Sequence, residues 1–226
     1  MRNLAVCALV AGIVAVGAGV TAQNRSTAAT YITKEQVDTV NKQPGTDRTI
    51  QVLDIGHENF AVGIIHRGPT GARGAGGGPA AAGGGAAGTA GGGRGAAAAP
   101  APEPCGDRSD TPVPAGTPTG LYHDSQTEGY YITSGAGTMV TGGRVVNGRK
   151  SAPEAAVTTT LNGPSCSGAI MGRDVVLREV KVGDIIIIPA GVPHGWTTIP
   201  DHVDYLSFRP SQRVLTAGYT HPSIAK

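Results

Sequence analysis

The stretch "GDIIIIPAGVPHGW", residues 183–196, decides the fold. Gly183 permits a tight turn into an apolar run. Ile185 to Ile188 then read as a barrel strand buried on both faces. Pro189, Gly191 and Pro193 force a sharp corner. His194 and Trp196 lie two apart on the strand that follows, so they point to one face. If that face is a barrel interior, His194 offers a nitrogen ligand in an apolar cavity walled by Trp196.

The rest of the C-terminal half repeats the same grammar. "LYH", "GYYITS", "GTMVTGG", "DVVLREV", "HGWTTI" and "DYLSFRP" are short β-rich runs separated by Gly, Pro, Asn and Asp. This predicts an all-β sandwich or barrel. "NGRKSAPEAAVTTTLNGPSCSG" reads as a long excursion between strands. Upstream, Ile50 and Val52 alternate with polar residues, as do Phe60, Val62 and Ile64. Two strands joined at "GHEN" fit. Before them, Thr33 and Gln36 form a capping-box pattern for a short helix that stops before Pro44.

Glycine is abundant at 36 residues and concentrated between Gly68 and Gly95. That Gly/Ala/Pro stretch has no apolar periodicity and no large side chains to offset its ordering entropy. Residues 68 to about 118 are expected to be a flexible, disordered insert within one domain. The strands before it are too few to fold alone.

The first residues read as an export signal. Arg2 precedes an apolar core, and "VTA" ending at Ala22 is a small-x-small cleavage site. This predicts a signal peptide over 1–22, a periplasmic or secreted product, and no stable membrane anchor after cleavage. The organisation that follows is a segment 23–47 with the short helix, a single barrel over 48–210 interrupted by the insert, and a tail 211–226. Cleavage leaves Cys105 and Cys166, which either pair in an oxidising compartment or remain two thiols. A formal net charge of +2 gives no electrostatic case for a nucleic-acid partner.

A second pattern, "GLYHDSQTEGYYITSGAG" at 120–137, places His123 at a strand end and Glu128 at the start of the next. A His and a Glu across such a corner, completed by His194, make a two-histidine, one-carboxylate set suited to a divalent transition metal: Fe, Mn, Ni or Zn.

Together the two stretches resemble the paired motifs of the cupin superfamily. The second motif, G-x5-P-x-G-x2-H-x3-N, fits at Gly183, Pro189, Gly191 and His194, with Thr198 in place of Asn. In the first, G-x5-H-x-H-x3-4-E-x6-G, Glu128 and Gly135 are in register, but one of the two histidines is missing. Asp124 is the candidate oxygen ligand to replace it. The resemblance spans about residues 48 to 210 without the insert and implies a double-stranded β-helix, or jelly-roll barrel. It admits dioxygenases, isomerases, epimerases and decarboxylases, and a homodimer.

Further residues are candidates to line the bowl and contact a small-molecule substrate. Tyr130 adjoins Glu128. Trp196 shares the face of His194. Arg209 is placed either to bind a carboxylate inside the bowl or to sit at its rim. His66 continues the face of Phe60, Val62 and Ile64. His57 is read as solvated, and His202 and His221 have no constellation around them. The functional alternatives are a metal-dependent enzyme, a small-molecule or sugar-binding module without metal, and a structural envelope protein.

Overall fold

The computed structural model describes residues 28–70 and 102–225. The export-signal reading and most of the glycine-rich insert lie outside the described residues. Helix α1 (Lys34–Asn41) is followed by eleven strands: β1 (Asp47–Asp54), β2 (Asn59–Arg67), β3 (Pro104–Cys105), β4 (Thr119–His123), β5 (Glu128–Thr141), β6 (Arg144–Lys150), β7 (Ser165–Met171), β8 (Val176–Lys181), β9 (Ile185–Ile188), β10 (His194–Thr198) and β11 (Val203–Ser211). Among the described residues no helix is long and apolar enough to cross a membrane.

Every strand pairing is antiparallel, and β5 closes the barrel. Its first half pairs with β11 and β9, in a sheet that continues through β2 to β1. Its second half pairs with β8 and β10, in a sheet that continues through β4, β7 and β6 to β3. The runs "GYYITS" and "GTMVTGG" read as two strands that part at Gly135, where a turn is expected. The chain instead runs through as one 14-residue strand. Gly135 takes φ +69°, and a Cβ there would collide with the His202 carbonyl. The glycine therefore supplies a bend and a close backbone approach, not a chain reversal.

Between the sheets lies a core of Ile65, Tyr130, Ile132, Met139, Ile188, Trp196 and Tyr205, all buried. On the outside of β1 and β2, α1 lays Val40 over Ile50, Val62 and Ile64. The expected capping box is formed. Thr33 Oγ1 accepts from the Gln36 amide, and the Gln36 side chain accepts from the Thr33 amide.

Three expectations are revised. The isoleucine strand is not buried on both faces: Ile188 is 2% exposed, but Ile185 and Ile187 are 70% and 66% exposed. β9 pairs with β5 alone, and its outer face meets solvent, so the run alternates after all. The insert ends earlier than residue 118. Pro104 and Cys105 pair with β6, and Cys105 is disulfide-bonded to Cys166. At its other end, Thr70 exchanges hydrogen bonds with Ile199. The excursion at 147–168 also carries structure. Its ends belong to β6 and β7, and a π-helical turn, Thr158–Asn162, folds back so that Leu161 packs on Val52, Ala61 and Leu215. Leu215 draws the C-terminal tail into the core as well. The Gly218 and His221 amides donate to the carbonyls of Val52 and Ile50.

Candidate metal centre

His123, Glu128 and His194 converge inside the barrel from three strands. β4 alternates, so Leu121 and His123 face inward. The polar turn 124–127 then delivers Glu128 as the first residue of β5, opposite Ile188. The Pro-Gly-Pro corner after β9 returns the chain so that His194 opens β10, opposite Leu121 and Thr141. At Gly120 a Cβ would meet the His194 carbonyl, so the absence of a side chain there lets β4 and β10 approach closely.

One carboxylate oxygen, Glu128 Oε2, lies 3.1 Å from both His123 Nε2 and His194 Nε2. The three potential ligand atoms lie within 4.8 Å of one another, and all three residues are buried. The other oxygen, Oε1, accepts from Ser207 Oγ at 2.9 Å and from Arg209 Nη2. Arg209 Nε donates to Ser207 Oγ at 2.7 Å, and Nη1 donates to Asn162 Oδ1 at 2.5 Å. Glu128 is therefore held by one oxygen and presents the other to the two imidazoles.

Burial alone pushes the Glu128 carboxyl up. The Arg209 charge and the histidine hydrogen bonds outweigh it and hold the group well below the usual carboxylate range. Burial pushes His123 down to about 4, against its bond to Glu128. His194 Nδ1 is 3.0 Å from the Val192 carbonyl. A carbonyl only accepts, so Nδ1 carries the proton, and in the neutral ring Nε2 is a lone pair. That lone pair faces an ionised oxygen. Such a contact calls for a cation between them, either a proton or a metal ion. Ligand bonds of about 2.1 Å put adjacent donor atoms roughly 3 Å apart, which matches the two histidine–carboxylate spacings here. The donor set fits a divalent transition metal held by His123, Glu128 and His194.

The remaining sequence candidates are distributed differently. Tyr130 and Trp196 face inward, but as packed walls: Tyr130 stands edge-on to His194 with centroids 6.3 Å apart, and Tyr205 lies between Tyr130 and Trp196. Arg209 is inside, as one of the two alternatives had it. The carboxylate it binds is Glu128. His66 does not line the bowl. Its side chain is 47% exposed and paired with Asp204, because the β2 alternation carries Ile65, not His66, into the core. Asp124 is no ligand replacement either, since it turns outward to Lys150 at 2.6 Å. Sequence reading missed Ser207, Asn162 and Tyr205. Ser207 and Tyr205 were recoverable from the period-2 pattern of "DYLSFRP". Asn162 was not, because it comes from the irregular excursion.

Fold and site together define a double-stranded β-helix barrel enclosing a two-histidine, one-carboxylate cluster. No family model matches the chain, and no curated protein matches it. Among solved structures it is similar to a conserved Klebsiella pneumoniae protein with a double-stranded β-helix domain. The identity is 13% and the TM-score 0.36, over 82% of this chain and 94% of that one. A Bacillus halodurans protein is similar at 12% identity and TM-score 0.39, over 87% and 92%. An oxalate oxidase is similar at 11% identity and TM-score 0.31, over 76% and 55%.

Proposed function

We propose that this chain is an exported, cupin-type barrel that binds one divalent transition metal through His123, Glu128 and His194 and acts on a small organic molecule. The observation that carries the reading is the convergence of His123 Nε2 and His194 Nε2 on one buried carboxylate oxygen, Glu128 Oε2, each at 3.1 Å. A bound metal would supply Lewis acidity, or a seat for dioxygen, at positions the three residues leave open. The chain's own residues orient and insulate that seat. Val192 fixes the His194 tautomer, as a hydrogen bond to the non-ligating nitrogen does. Arg209 and Ser207 immobilise Glu128. Tyr130, Tyr205 and Trp196 exclude water. The Cys105–Cys166 bridge supports placement in a periplasmic or secreted compartment.

A second reading is a ligand-binding barrel without metal. It is favoured by one observation: Arg209 already compensates the Glu128 charge. Titration of chelator-treated protein with Mn(II), Co(II) or Zn(II) separates the two. The single tryptophan, Trp196, reports on the same interior. The metalloprotein reading expects a saturable fluorescence change at one equivalent, abolished by Glu128→Gln. No change with any of the three ions would select the metal-free module.

A further inference from the structure

A second constellation sits outside the barrel, where β5 bends and β11 begins. Ser134 Oγ lies 2.7 Å from His202 Nε2, and His202 Nδ1 lies 2.7 Å from Asp201 Oδ2. A carboxylate only accepts, so Nδ1 carries the proton. In the neutral ring Nε2 is then the acceptor, and the Ser134 hydroxyl is the donor. The chain of bonds therefore has one polarity, from serine through imidazole to carboxylate. That is the arrangement by which a base activates a hydroxyl nucleophile.

Its parts are held by backbone rather than by chance contact. Asp204 is the register partner of Ser134, and the Ala136 amide donates to the His202 carbonyl at 3.1 Å. The close approach at Gly135 brings the two segments together, because any Cβ there would strike that carbonyl. His66, itself bound to Asp204 at 2.6 Å, stacks on the His202 ring with centroids 6.1 Å apart and planes 23° apart. His202 is one-third exposed and Asp201 largely so. The site is thus open to solvent and shallow.

We propose that Ser134, His202 and Asp201 form a hydrolytic site for small, activated acyl esters, independent of the barrel cluster. Ser134 Oγ bonds to the ester carbonyl carbon while His202 Nε2 takes the hydroxyl proton. The carbon–oxygen bond to the alcohol breaks, and His202 returns the proton to the departing alkoxide. Water then attacks the acyl-serine, again giving a proton to His202, which passes it to Ser134 as the carboxylic acid leaves. No oxidant, reductant or metal enters the balance.

The test is labelling with an alkyl fluorophosphonate, with chelator present throughout, read by intact mass and peptide mapping. The expected result is one adduct on Ser134, absent in Ser134→Ala, and formed about 100-fold more slowly in His202→Gln. If His202→Gln loses the native melting transition, Asp201→Asn carries the comparison instead, with a several-fold slower rate expected at this exposed position. No adduct on Ser134 above an unfolded control would overturn the proposal. So would equal labelling rates in the wild type and whichever base-side variant is folded.

Discussion

Glu128 is the residue on which the interior depends. It is ionised and wholly buried, which is tolerable only because Arg209, Ser207 and two imidazoles surround it. The same environment sets an acid limit on the metal-free protein. His123 has a folded value near 4 against an ordinary value of 6.5. A lowered histidine stabilises the fold fully above its unfolded value and loses that contribution as pH falls from about 6.5 toward 4. Glu128 is also lowered. Its contribution is present above the ordinary carboxylate value and lost further into acid. In chelator, the melting temperature should therefore begin to fall below pH 6.5, and His123→Gln should flatten the upper part of that decline. A melting temperature constant from pH 7 to pH 4 would contradict this assignment of charge. At this scale the sequence was informative about the three inward residues on regular strands. It was misleading for His66, where alternation was followed one residue out of phase. It was silent on Ser134 and mistaken on His202, read as having no constellation around it: Ser134, Asp201 and His66 surround it, because Gly135 bends one strand toward residue 202 where the sequence suggests a turn between two.

Among the elements, β9 shows how far a composition can mislead. Four consecutive isoleucines suggest burial on both faces, yet the strand covers the core with Ile188 and leaves Ile185 and Ile187 to solvent. Substitution at the two kinds of position should separate clearly. Ile185→Thr and Ile187→Thr should shift stability by no more than about 0.5 kcal/mol. Ile188→Ala should cost about 2–5 kcal/mol through lost burial and the cavity left behind. Chemical denaturation of the three variants measures this, and equal losses would mean that the outer face is covered. The corner after β9 was the most legible element, because Pro189, Gly191 and Pro193 restrict the backbone before any tertiary contact forms. The π-helical turn was the least legible. Its Leu161 and Asn162 owe their burial to partners on β1, β2 and β11, far away in sequence.

The whole molecule is one barrel laced together by non-local pairing, with a covalent tie where the insert re-enters. Cys105 and Cys166 are 61 residues apart, and Cys166 lies on β7, opposite Tyr122 of β4. Spacing alone left the pairing open, because proximity depends on how β3 adds to β6. By the chain-entropy model, a closed loop of this size stabilises the fold by about 4 kcal/mol. A Cys105→Ser, Cys166→Ser double variant should lose stability of that order in urea while keeping the β-sheet circular dichroism. Unchanged stability would show that the bridge constrains little.

Whether the buried cluster holds a metal is read from the metal content of the purified protein by plasma mass spectrometry, beside His194→Ala and Glu128→Ala. A metal site requires close to one equivalent of Fe, Mn, Ni or Zn in the wild type and loss of that metal in both variants. A wild type that holds none, even after reconstitution with each ion, would contradict the metal-site reading.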